Sequence, residues 1–314
     1  MITNKLKLLI KELIGKTINI THTKKTLIAN KFFIFSFHEI TDSPSVFQKK
    51  NQLFVTKNVF KNQISFIKRL FKIINPQELI LSENLKNSAL ITFDDGYFNS
   101  FNYALNILKK SKVVPIYFLN MSAIKNQIPL LPASIEYLEL YYKKFNYFIE
   151  KYKLSKPVSL SIKPSQFYTL NNYIESKKNK INHYQGKMVS YDYLKKNEHL
   201  KDFYIADHLY EHYNCLVLDK TELNNLANKN KKILKKFNNF INIFSFPNGV
   251  PKKCFSKQNV NWIKSINYNK IFSNGNTANL NSKKFLLDRI SLNNNDDTFN
   301  KFLFKIFQST KKSN

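Results

Sequence analysis

Cysteine is nearly absent from this chain of 314 residues, and the two present, Cys215 and Cys254, are too few for a disulfide framework or a thiolate zinc site. Nothing in the cysteine usage therefore demands an oxidising compartment. Five glycines and nine prolines exclude a loop-dominated or low-complexity architecture. Acidic residues are also few, 21 against 50 Lys and Arg, which leaves a formal charge of +29. An anionic partner such as nucleic acid or a lipid surface would suit that balance. The basic residues are scattered lysines without an arginine cluster or a nucleic-acid motif, however, so no specific nucleic acid is expected. The N-terminal residues lack the long uncharged core and small-residue cleavage site of a signal peptide, and Lys7 and Lys11 interrupt any membrane span. The expected location is the cytoplasm, with the inner face of the membrane as a place of peripheral contact.

What the chain has in quantity is apolar material: 43% of its residues are hydrophobic, with 28 Phe and 17 Tyr, enough for a packed core. Residues 1–30 form a basic helical segment. Leu6, Leu9, Ile10, Leu13 and Ile14 recur there at helical spacing beside Lys5, Lys7, Lys11 and Lys16. Such a helix either rests on an anionic membrane or docks on the protein, and docking is the commoner outcome. Residues 31–308 read as one catalytic-sized domain and residues 309–314 as a frayed tail.

Within that domain, residues 32–37 form an apolar strand ending at His38, followed by a polar loop to about residue 57 and a helical face from Val59 to Phe71. Residues 89–93 form a second strand, stopping at Asp94-Asp95-Gly96. A helix ending at Lys109–Lys110 and a strand at 113–119 complete a βαβ unit, which implies a parallel sheet with a right-handed crossover. Residues 121–203 turn Tyr-, Lys- and Asn-rich and read as a helical insertion that caps the site or shapes a groove. The α/β rhythm then resumes. It comprises a helix from an N-cap at Thr221 to Phe237, a strand at 241–245, a helix at 255–267, strands at 270–273 and 285–290, and a last helix at 298–307.

Two clusters carry chemistry. Asp94 and Asp95 are adjacent carboxylates at the end of a buried strand, where mutual repulsion and burial call for a cation or hydrogen bonds. Asp-Asp-Gly is equally good turn chemistry. His208-Leu209-Tyr210-Glu211-His212 places two imidazoles four residues apart, and on a helical turn both could reach one metal. Two histidines and a carboxylate leave coordination positions open for substrate.

Residues 89–119 resemble the first motif of the NodB-type polysaccharide deacetylases (carbohydrate esterase family four), which opens with Thr92-Phe93-Asp94-Asp95-Gly96. His208-x3-His212 resembles their second motif. Phe244 to Gly249 resembles the third, in the branch associated with surface polysaccharide and poly-N-acetylglucosamine. The resemblance implies a distorted (β/α) barrel with the 121–203 stretch inserted. It also implies an N-acetylated glycan or lipid-linked sugar as substrate and one divalent metal, zinc expected, on Asp95, His208 and His212. Asp94 would be the general base, and the loop at Pro247 and Asn248 would hold the oxyanion.

Amide cleavage also needs an acid. No histidine follows His212, so the late-chain histidine of many family members has no counterpart here. The poly-N-acetylglucosamine branch takes its acid from a strand before the Asp-Asp motif, which His38 matches; otherwise His38 is a hydrogen-bonded loop residue. The third motif usually opens with an arginine that orients the base, and Ser245 stands in its place. Arg289 is an alternative source for that contact, unless it merely pairs with Asp288. Loss of the motif arginine leaves open a non-catalytic glycan-binding protein, with nucleic-acid binding a more distant reading. His22, His183 and His199 lack a motif and read as surface or structural residues.

Overall fold

Each residue of Phe32–Phe37 and of Ser88–Phe93 is buried, the pattern of parallel strands covered on both faces. The computed structural model describes residues 4–21, 23–82 and 84–312, with the side chains of residues 23 and 24 left aside, so the reading of His22 lies outside the described residues. The strands are β1 (Phe32–Phe37), β2 (Glu39–Ile40), β3 (Phe54–Val55), β4 (Lys72–Ile73), β5 (Ser88–Phe93), β6 (Ile116–Leu119), β7 (Tyr204–Asp207), β8 (Phe240–Ser245), β9 (Lys270–Phe272), β10 (Leu286–Leu287) and β11 (Ile290–Ser291).

Among the described residues the main sheet runs β10-β9-β8-β7-β6-β5-β1-β11, with β4 also on β5 and every pairing parallel. The two ends of this order, β10 and β11, are joined in sequence by Asp288 and Arg289 alone. The barrel is thus closed by that covalent link rather than by a hydrogen-bonded ladder between its edges. This is the distorted α/β barrel expected from the sequence.

Alternation of side chains along the strands sorts the core into layers. Phe33, Phe35 and Phe37 face outward onto Ile64, Ile67 and Phe302 of the surrounding helices. Phe32 and Ile34 belong with Leu90, Phe118, Ile243 and Phe272 to a smaller cluster on the other face. Each fully buried Phe contributes roughly 1.5–3 kcal/mol of transfer free energy, so truncating Phe35 to Ala should cost about 3–5 kcal/mol.

The structure departs from the sequence reading in several places. The polar stretch before residue 57 contains the short parallel pair β2–β3 and a helix Val46–Lys50. Strand β7, only four residues long, was not marked by the residue pattern. The helix after it is capped by Asp219 rather than Thr221, because Asp219 and Glu222 form a reciprocal capping box. The expected strand at 285–290 is broken at Asp288 and Arg289, where side-chain demands override the ladder. The last helix runs Phe299–Lys311 with Ser309 buried, so residues 309–311 are not a frayed tail.

The N-terminal helix, Asn4–Ile20, docks on the last helix, but not through its apolar stripe. Gly15 and Ile18 are its buried residues, while Leu9, Ile10, Leu13 and Ile14 stay exposed. The reason is close backbone approach: a Cβ at Gly15 would fall 1.8 Å from the Asn300 carbonyl oxygen. Glu12 adds hydrogen bonds from Thr298 Oγ1 (2.6 Å) and Asn300 Nδ2 (2.8 Å).

Candidate metal and hydrolytic site

The C-terminal ends of β1, β5, β7 and β8 open on one cavity of about 360 Å³, lined among others by His38, Asp94, Asp95, His208, His212, Asn248 and Asn274. Ligand sites in parallel α/β sheets lie at this edge. The Asp-Asp-Gly turn is also the device that presents the carboxylates. Asp95 and Gly96 both have positive φ, 70° and 89°, and Gly96 N–H donates to the Asp94 carbonyl at 2.9 Å. An aspartate tolerates that left-handed backbone better than most residues. At Gly96 the left-handed backbone favours glycine, and a Cβ would also press on the end of the Ile124 side chain at 2.9 Å.

His208 and His212 converge on Asp95, although not from a helix. Residues 208–212 form an irregular loop with Leu209 at φ 67°, which corrects the helical-turn expectation. The loop is shaped by buried polar side chains: Asp207 accepts from Leu209 N–H (2.8 Å), Asn230 (2.8 Å) and the Tyr268 hydroxyl (2.7 Å). Asn120 donates to the carbonyls of His208 and Leu209. Burial pushes the Asp207 carboxyl up to about 7 despite these donors.

Asp95 Oδ1 lies 3.6 Å from His208 Nε2 and 3.4 Å from His212 Nε2. Zinc bonds of about 2.1 Å in tetrahedral geometry put neighbouring ligand atoms about 3.4 Å apart, so the spacing fits one ion. Asp95 Oδ1 is buried without a hydrogen-bond partner, a costly arrangement that a cation would relieve. The Ser245 carbonyl lies 2.9 Å from His208 Nδ1, which places the proton there and leaves Nε2 as a lone pair facing Asp95. Burial pushes His208 down to about 4, so the imidazole is neutral, as a metal ligand must be. For Asp95, burial opposes ionisation, but the adjacent histidines, His212 foremost, outweigh it and hold the carboxyl well below the usual range.

Asp94 is gripped by Arg289 through two parallel hydrogen bonds, Nη1 to Oδ1 at 2.6 Å and Nη2 to Oδ2 at 2.8 Å. Burial would raise this carboxyl too, yet the guanidinium beside it prevails and the net shift is downward. Arg289 is itself 1% exposed and is braced by Nε donating to the Ser273 carbonyl (3.2 Å) and by the Phe118 ring. Asp288 points elsewhere, accepting from Ser273, Gly275 and Thr277. The link that closes the barrel therefore supplies the arginine contact that Ser245 cannot.

His38, at the end of β1, is half-buried and lines the same cavity. Of the third-motif loop, Asn248 lines the cavity at φ 57°, with a buried Nδ2 that has no partner, while Pro247 is buried. His183 and His199 are exposed and line no part of the cavity. The insertion lines the cavity's outer wall, in keeping with its reading as a capping or groove-shaping segment, but sequence reasoning named none of the wall residues: Phe47, Leu53 and Asn51 there meet Leu130, Ile135, Glu136, Glu139 and Val158–Leu160. No motif flags those residues; only the fold gathers them.

A deep Asp–His–His group able to hold a metal ion, with a clamped second aspartate beside it, stands at the mouth of a parallel barrel whose fold is that of the polysaccharide deacetylases. Neither a family model nor a curated protein matches the sequence. Solved structures do. The chain is similar to the Streptococcus pyogenes deacetylase PplD in complex with acetate (14% identity, TM-score 0.54, covering 89% of this chain and 98% of that one). It is similar also to BC0361, a polysaccharide deacetylase from Bacillus cereus (14%, 0.55, 88% and 69%). A third is a de-N-acetylase from Aggregatibacter actinomycetemcomitans (13%, 0.55, 87% and 98%). At such identities the likeness establishes the fold.

Proposed function

We propose that this chain is a metal-dependent hydrolase that removes N-acetyl groups from an amino sugar of a surface polysaccharide or its lipid-linked precursor. The observation that carries the proposal is the unpartnered Asp95 Oδ1 between two histidines, beside an aspartate held by a buried arginine. Asp95, His208 and His212 would hold one divalent ion, zinc by the nitrogen and oxygen donor set. When bound, that ion supplies Lewis acidity toward the acetyl carbonyl and makes water a stronger acid.

The chain's own residues do the rest. Asp94, ionised and fixed in direction by Arg289, accepts the proton of the attacking water as its oxygen bonds to the acetyl carbon. Asn248 and the backbone N–H after Pro247 face the developing oxyanion. His38 donates a proton to the amide nitrogen as the C–N bond breaks, so acetate and a free amine leave. The names of two comparison proteins, a polysaccharide deacetylase and a de-N-acetylase, and the acetate held by a third, agree with this chemistry. The mixed wall of Phe47, Leu53, Leu130, Asn51 and Glu136 suits a sugar, with apolar faces for ring carbons and polar groups for hydroxyls.

The test is incubation with N-acetylglucosamine oligomers and with O-acetylated sugars, scoring free acetate and new primary amine. Acetate and amine in equal amounts, abolished by a chelator, are expected. Acetate without amine would convert the assignment to an esterase, and neither product from any acetylated glycan would remove it.

A further inference from the structure

Among the described residues, the buried positions of the helix Asn4–Ile20 lie on one face. Gly15 lies against Asn300 of the last helix, Ile18 is buried one turn further on, and Glu12, the only acidic residue of the helix, is bound by Thr298 and Asn300. Turned away are Leu9 (54% exposed), Ile10 (39%), Leu13 (56%) and Ile14 (37%). At 100° per residue these four share one arc, roughly opposite the docking face. Lys5 and Lys16 border the arc on the Leu9 side and Lys7 on the Ile14 side, all three exposed.

An apolar arc edged by lysines, with the one carboxylate withdrawn, is the geometry of a helix lying in a membrane interface. The side chains of Leu and Ile enter the acyl boundary and the lysines extend to headgroup phosphates. No helix among the described residues is long and apolar enough to cross a membrane, so contact through this helix would be along the surface. Charge complementarity selects the occupant. A second copy of the chain would bring the same lysine borders and the same charge of +29 against the first, which repels. An anionic bilayer brings the opposite sign. We infer that the Leu9–Ile10–Leu13–Ile14 face is a docking surface for a bilayer rich in anionic phospholipid, bordered by Lys5, Lys7 and Lys16. The surface shares no residue with the cavity around Asp95, His208 and His212, and only its use, bringing the enzyme to glycan held at a membrane, rests on the proposed function.

The experiment is co-sedimentation of the full chain with vesicles of phosphatidylcholine alone or mixed with phosphatidylglycerol. Binding to the mixed vesicles only, weakening as salt rises, is expected. Leu9→Ser with Leu13→Ser should weaken it at least about tenfold by removing apolar insertion. Lys5→Gln with Lys7→Gln and Lys16→Gln should weaken it about a hundredfold, since each surface lysine adds severalfold. Because these side chains are exposed, both variants should melt with the wild type and retain its hydrolytic rate on soluble oligomers. Failure of the wild type to bind mixed vesicles would overturn the inference. So would binding unchanged in both variants, or a lipid-free dimer that the serine variant dissociates. A protein that binds vesicles without hydrolysing any glycan would defeat the catalytic reading while leaving this surface intact.

Discussion

Replacing Arg289 with Met removes the charge from a guanidinium that is 1% exposed and leaves Asp94, 3% exposed, without its partner. Breaking a buried ion pair from one side costs about 3–5 kcal/mol, because the remaining charge stays desolvated. For a chain of this length that is a fall in melting temperature of roughly 5–8 °C. The loss should depend on pH with a definite sign. In the wild type the Asp94 carboxyl lies below its ordinary value of 3.8, so its stabilisation is present above that pH and is lost as pH falls through the depressed folded value. In Arg289→Met, burial acts unopposed by the guanidinium and pushes the carboxyl up. The deficit against wild type should therefore be large near neutrality and shrink as pH falls through the depressed Asp94 value of the wild type, below which Asp94 is protonated in both proteins. Thermal and urea unfolding of chelator-treated protein would measure it, with Asp94→Asn and the double variant completing a cycle. The double variant should recover part of the summed loss. Additivity within about 0.5 kcal/mol, or a deficit independent of pH, would refute the coupling between these two residues.

Other consequences concern the metal and the two proton-transfer groups. Asp95→Ala should bring zinc bound after dialysis from one ion per chain to a small fraction, measured by elemental analysis; full retention would remove Asp95 from the ligand set. Asp94→Asn should keep its zinc and lose turnover by about 10²–10⁴, the range for a positioned general base. A wild-type rate in that variant would reassign the base. His38→Ala should likewise keep zinc, with kcat reduced about 10²–10⁴ and KM little changed. A rise in KM at constant kcat would instead make His38 a binding residue.

The parts of the site legible in the sequence were those that local pattern controls. Asp94 and Asp95 stand where an apolar run stops at a turn-forming Gly96, and His38 ends a second such run; parallel pairing of β1 with β5 then brings them to one rim. The histidine pair was legible as chemistry but not as geometry. Its loop is shaped by Asp207, Asn120, Asn230 and Tyr268, which arrive from distant segments. Arg289 could not be assigned from spacing, because its pairing with Asp94 depends on how the two edges of the barrel are joined. The N-terminal helix docks on the protein, one of its two expected outcomes, but with its apolar stripe turned away, for a local reason. Gly15 permits a backbone approach that no side chain on the apolar stripe could match.

The most direct test of the central claim is a zinc titration of the dialysed protein, with acetate release from N-acetylglucosamine oligomers followed at each addition. Release should rise in proportion to added zinc, level off at one equivalent per chain, and fail to appear in Asp95→Ala at the same zinc concentration. Release that is already maximal without metal, or none at one bound equivalent, would contradict a hydrolase built on Asp95, His208 and His212.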